Sequence, residues 1–147
     1  KAPTTPKTYN GNTKFEDGEL RYWSWCSQQG YASGRVNKCL FDEQIPVDAN
    51  GYYTLVLSRE SDRPRNAINE CGVSWLPIAD VGDGTGDPDL SFLVLRNMLG
   101  RGEFKHAVQN IKSQETIQQD MGDYFPRARY TTVSSFETSV PCQVEKR

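Results

Sequence analysis

Asp80, Asp83, Asp87 and Asp89 fall within the ten residues DVGDGTGDPD, spaced by three glycines. Carboxylates on a backbone that glycine lets turn its carbonyls inward are the hard oxygen ligands that calcium takes. The segment lacks the alternating Asp register and distal Glu of an EF-hand, so a solvated turn competes with a calcium loop. Trp23 and Trp25 lie on one face of an alternating run. With Tyr22, Tyr31, Tyr52, Tyr53 and Trp75 they supply enough flat rings for a sugar-stacking platform. Such rings also fill cores, and the two readings divide on whether Trp23 and Trp25 face solvent.

His106 is the only histidine, so any triad or imidazole-ligated metal has to pass through it. Helical geometry sets it about 200° around from Phe104 and out in solvent, away from catalysis. Arg59, Arg63 and Arg65 stand among Glu60 and Asp62 with a local excess of one charge. That composition suits a solvated loop, with a carboxylate or anion clamp as the alternative. No spacing selects two carboxylates for glycosidase chemistry, and no catalytic residue is assigned.

Cys26, Cys39, Cys71 and Cys142 make an even count with no CxxC pair and one histidine, which suits neither zinc nor iron–sulfur ligation. Disulfides are the better reading, with buried free thiols in a cytosolic protein as the alternative. Of three pairings, Cys26–Cys39 with Cys71–Cys142 is favoured, because the first two lie on consecutive strand candidates joined by a short loop. Disulfides in turn imply an oxidising compartment: periplasm, cell surface or outside the cell.

The elements that would hold these residues are mostly strands. Residues 1–14 carry two prolines and four threonines and no apolar period, and read as an extended arm or linker, with a frayed tail as the alternative. A single domain follows over residues 15–142, with a tail at 143–147. Leu20–Ser27, Val36–Phe41, Tyr52–Ser58, Gly72–Ile78 and Leu90–Leu99 are strand candidates, the last a core strand covered on both faces. Asn50-Gly51 supplies a hairpin turn, and residues 59–70 form a loop with one helical turn. Phe104, Ala107, Val108 and Ile111 follow a helical stripe. A second short helix runs from Gln114 to Met121, capped by Ser113 and ended by Gly122. Ala128–Val133 and Ser135–Val140 read as Thr-rich edge strands.

The 147 residues carry 17 Lys and Arg against 19 Asp and Glu, a net charge of −2, and 36% apolar residues. This suits one globular domain with its own core. A pI near 5.4 offers no basic field for nucleic acid or anionic lipid. The longest apolar run, Phe92–Leu95, stops at Arg96, far short of a membrane span. Numbering from Lys1 without a methionine reads as a processed or excised chain.

RYWSWC (21–26), DANGYYTLVLS (48–58), GVSWLPI (72–78) and LSFLVLRNML (90–99), in that order, resemble the bacterial family of domains of unknown function numbered twelve-fourteen. The likeness is carried by Trp23-Ser24, Asp48 with Gly51, Asn66 and Asn69, Trp75-Leu76-Pro77 and Leu95-Arg96, over about residues 20–99. It implies a jelly-roll-like antiparallel β-sandwich in the bacterial envelope or outside, with no agreed activity. The cysteines, the missing upstream partner domain and the region from Gly102 to Val140 depart from that family. The expected fold is therefore mainly β, with one or two short helices after residue 102.

Two functions are carried forward. One is a non-catalytic extracytoplasmic interaction or structural subunit of a larger assembly, self-assembling when Thr4, Tyr9 and Thr13 of the arm add to a neighbour's sheet. The other is a carbohydrate-binding or accessory hydrolase module using the aromatic face.

Overall fold

The computed structural model describes residues 1–9, 11, 14 and 18–142. The expected tail at 143–147, and Thr13 of the arm, lie outside the described residues.

Among the described residues five strands form, all near their expected positions: β1 Leu20–Gln28, β2 Val36–Phe41, β3 Thr54–Ser58, β4 Val73–Pro77 and β5 Phe92–Gly100. β1 is the centre of an antiparallel sheet ordered β2-β1-β5. β3 and β4 form a separate pair that runs parallel, which corrects the expectation of purely antiparallel sheets. The reason is the polar connection over residues 59–72, which is long enough for the crossover that parallel strands require.

The two sheets pack through the odd residues of β1. Trp23 and Trp25 meet Ile45, Tyr53, Leu55, Leu57 and Leu76 in one cluster that also takes in Leu95 and Leu20. Alternation then divides the second sheet: Leu76 belongs to this core, while Val56, Val73 and Trp75 turn to the other side. There Ala67 and Phe136 form a second cluster. Phe136 comes from α2, Val133–Ser139, whose start is fixed by Thr132 accepting the Ser135 N–H on its side chain. The Thr-rich strands expected at 128–133 and 135–140 are thus replaced by an exposed connection and this capped helix. β propensity yielded to an N-cap and an apolar anchor.

The helix expected from Phe104 to Ile111 is reduced to a 3₁₀ turn at Val108–Asn110. Phe104 and Ala107 are buried all the same, because the chain folds back over the end of β1. The second helix is shorter than expected, α1 Ile117–Met121, entered from Thr116 rather than Ser113 and ended at Gly122, whose φ is +53°. The both-faces-buried position belongs to β1, with Ser24, Cys26 and Ser27 also buried. β5 is an edge, and its Leu93, Met98 and Leu99 are exposed.

Residues 1–9 are laid along their own domain. The Ala2 N–H donates to the Gly51 carbonyl at 2.7 Å, and the Thr4 carbonyl accepts from Glu19 and Leu20. The Trp23 indole N–H donates to the Pro3 carbonyl at 3.1 Å. Further on, Thr8 and Tyr9 donate to Glu43, and Tyr9 packs on Phe41. Gly18 makes this possible: a Cβ there would stand 2.9 Å from the Pro6 ring and 3.1 Å from the Thr4 carbonyl.

Candidate functional site

Cys26 and Cys39 face each other across β1 and β2 with Cα atoms 4.1 Å apart, and they are bonded as a disulfide. Cys71 and Cys142 are joined likewise, which ties the segment after α2 to the start of β4. Both favoured pairings form, and two disulfides point to an oxidising compartment.

The short Cys26–Cys39 spacing marks a non-hydrogen-bonded pair of the β1–β2 ladder, so the backbone groups of Cys26 turn toward Val94 of β5. By alternation, Leu93, Leu95 and Asn97 turn their N–H and C=O groups away from β1, out of the sheet. The Asn97 carbonyl is met there by the Gln109 side chain at 2.9 Å. No strand adds to that side of β5 among the described residues, which leaves the N–H and C=O of Leu93 and Leu95 open. Around them stand apolar side chains: Leu93 is 38% exposed, Met98 54% and Leu99 63%. β5 is therefore a sheet edge whose exposed side chains are mostly apolar, with Arg96 the one exposed charge among them.

The aromatic platform closes inward. Trp23 and Trp25 are 2% and 4% exposed, so of the two readings they take the core one, and the ligand-stacking alternative falls away for both. Burial requires a partner for each indole N–H: Trp23 uses Pro3, and Trp25 donates to the Tyr53 hydroxyl at 2.9 Å. Trp75 is half-buried, with the charged ends of Arg63 and Lys38 at 4.4 and 5.4 Å from its ring centre.

That contact accounts for Arg63, which also donates to the Ala67 carbonyl. Arg59 pairs with Asp89 at 2.9 Å, and Arg65 forks onto both oxygens of Glu137 on α2. The three arginines are spread over three structural contacts, so the carboxylate or anion clamp does not form. Asp89 is thereby drawn out of the acidic loop. Asp83 folds its carboxylate inward: Oδ1 accepts the N–H groups of Thr85, Gly86 and Asp87, and Oδ2 accepts the Thr85 hydroxyl. The Thr85 hydroxyl and these N–H groups hold the Asp83 carboxyl down at about 2. Among the described residues no three of Asp80, Asp83, Asp87 and Asp89 come together as a metal-binding group.

His106 is half-buried rather than out in solvent. Its Nδ1 lies 2.8 Å from the Asp120 carbonyl, an acceptor that places the proton on Nδ1. Its ring stacks on Tyr124, whose hydroxyl donates to Glu19 Oε1 at 2.8 Å. Burial first, then the carboxylate it serves, push the Tyr124 phenol well above its ordinary range. Glu19 Oε2 takes the Thr4 N–H and hydroxyl. These groups border an open groove of about 920 Å³ lined also by Arg101, Glu103 and Lys105. The carboxylate, phenol and imidazole are committed to holding the arm and the segment around α1 against β1. Glu19 and Tyr124 are 105 positions apart, so no local spacing announces them.

No family model, curated protein or solved structure gives a significant match to the chain.

Proposed function

We propose that this chain is a non-catalytic interaction or structural subunit of an extracytoplasmic assembly, secreted, periplasmic or at the cell surface, that accepts a partner strand on the edge of β5. The observation that carries this is the open backbone of Leu93 and Leu95 in an apolar, exposed edge strand. Natural domains blunt such edges with charge, proline or a covering segment; here Arg96 and the Gln109 cap on Asn97 blunt only the far half of β5, which leaves the Leu93–Leu95 stretch suited to strand addition. Two disulfides support the compartment. The edge is better supported than the arm as an assembly surface, since Thr4 and Tyr9 are already engaged on their own chain. The carbohydrate-binding alternative has lost its main support with the burial of Trp23 and Trp25. A jelly-roll-like sandwich and kinship with the uncharacterised bacterial family belong to the same proposal. Their support is that strands form at or beside the segments that carried the resemblance.

The test is hydrogen exchange at the Leu93 and Leu95 amides, with light scattering, across a concentration series. Amide protection and mass that rise together, and that Leu93→Lys abolishes without lowering the melting temperature, support strand addition between copies. Fast exchange at both amides at every concentration, unchanged by extracellular extract from the source, would remove the reading.

A further inference from the structure

Residues 126–135 are ten consecutive exposed positions, and 126–132 belong to no helix or strand. Arg127, Ala128, Arg129 and Tyr130 make no hydrogen bond, by backbone or side chain, among the described residues. Among the described residues neither arginine has a carboxylate partner, in contrast to Arg59 and Arg65. The flanks are anchored. On one side Tyr124 is bonded to Glu19, and on the other Thr132 caps α2. An unpaired, exposed stretch between fixed points is what an endopeptidase needs, because it binds its substrate as an extended strand through free backbone groups.

Within this stretch one bond is placed best. Counting back from Arg129–Tyr130, residues 126–128 are all exposed and unbonded. Counting back from Arg127–Ala128 instead reaches half-buried Phe125 and Tyr124 within three residues. Other basic residues are held by their main chain: the Gln29 N–H bonds the Arg35 carbonyl, the Arg101 N–H bonds Glu19, and the Lys112 N–H bonds Asp120.

We propose that Arg129–Tyr130 is a processing site for an arginine-specific, trypsin-like endopeptidase, and that the cleaved protein persists as two chains held by Cys71–Cys142. The step is a hydrolysis. Water adds to the Arg129 carbonyl carbon, the C–N bond to Tyr130 breaks, and a carboxylate on Arg129 and an ammonium on Tyr130 result. The C-terminal piece stays in place because α2 keeps Phe136 in the second core, Glu137 on Arg65 and the Val140 carbonyl on Asn66. The disulfide secures it covalently. Release of the piece then requires reduction as well as cleavage, and would bare the half-buried Val56 and Trp75 beneath it. This site is independent of the β5 edge.

The probe is trypsin at low ratio on the full, oxidised chain, with products read by mass. The expected first new amino terminus between residues 18 and 142 is Tyr130. The unreduced mass rises by one water, and the molecule splits into two pieces only on reduction. Arg129→Gln, at an exposed side chain with no hydrogen bond or ion pair among the described residues, should slow cutting between residues 126 and 132 at least tenfold and leave the melting temperature unchanged. Earlier cleavage at any other Lys or Arg between 18 and 142 overturns the site. Loss of the C-terminal piece without reductant overturns the two-chain form.

Discussion

The Tyr124 hydroxyl donates to Glu19 Oε1 at 2.8 Å and so closes the fold across 105 positions of chain. Glu19 simultaneously holds Thr4, so one carboxylate fixes the arm, the entry to β1 and the segment after α1.

Tyr124→Phe removes that donor and should cost about 1.5 to 3 kcal/mol, as for a hydrogen bond to a charged group, measured by urea unfolding. The phenol also sets an alkaline limit. Its folded pKa is raised, so its contribution is complete below the unfolded value of about 10 and is lost as the pH climbs beyond it. Wild-type stability should fall above pH 10 more steeply than that of Tyr124→Phe. Parallel curves would show that Tyr124 titrates as a free phenol.

Asp83 works in the opposite direction. Its folded value of about 2 lies below the ordinary 3.8, so the loop it closes is intact above pH 3.8 and loosens as the pH drops through 2. Carboxyl resonances should place its midpoint near 2, and Asp83→Asn should speed exchange of the Thr85, Gly86 and Asp87 amides. Because these N–H groups already satisfy the carboxylate, calcium or EDTA should leave the melting temperature unchanged. A rise with calcium that Asp83→Asn removes would make the loop a metal site.

The strand positions were legible because each is a local event, a short β-type run between turn residues such as Asp48-Ala49-Asn50-Gly51. Their pairing was not. Whether Thr54–Ser58 runs parallel or antiparallel to Val73–Pro77 depends on a crossover through residues 59–72, whose polar composition is the same either way. The apolar spacing of Phe104 and Ala107 matches a helical period, yet the two are buried by tertiary folding of an irregular segment. Around Val133 two local signals conflicted, Thr-rich β propensity and a Thr132 N-cap. The decision fell to Phe136, whose pocket is made by Ala67 and Val73, far away in sequence. The Glu19–Tyr124–His106 cluster and the open side of β5 likewise exist only once distant segments meet.

The Cys71–Cys142 bond spans 71 residues, which in the chain-entropy model contributes about 4 kcal/mol. Cys142→Ser should lower stability by up to that amount and increase exchange within α2 more than within β1. Non-reducing peptide mapping should recover Cys26 with Cys39 and Cys71 with Cys142. Any crossed pairing, or free thiols in material from the natural source, contradicts the compartment as well as the fold.

Trp25→Phe retains much of the buried ring and loses the bond to Tyr53, a cost of about 1 kcal/mol. Trp23→Ala opens the centre of the main core and should cost about 3 to 5 kcal/mol. Glycan binding by wild-type protein that a folded, stable Trp23 variant lacks would show that the ring reaches solvent after all.

The arm gives the last prediction, because its contacts make it part of the fold rather than an appendage. Deleting residues 1–9 strips the buried Trp23 N–H of its Pro3 acceptor, and a lost partner at a buried donor costs about 1 to 3 kcal/mol. Tryptophan emission should shift to the red as water reaches Trp23. Gly18→Ala is the subtler version. The new Cβ would press on the Pro6 ring and the Thr4 carbonyl, lifting the arm while leaving every arm residue present. Both variants should melt earlier and show the same spectral shift. Wild-type stability in both would mean that residues 1–9 do not rest on this domain, and would return them to service as a strand for a neighbouring copy.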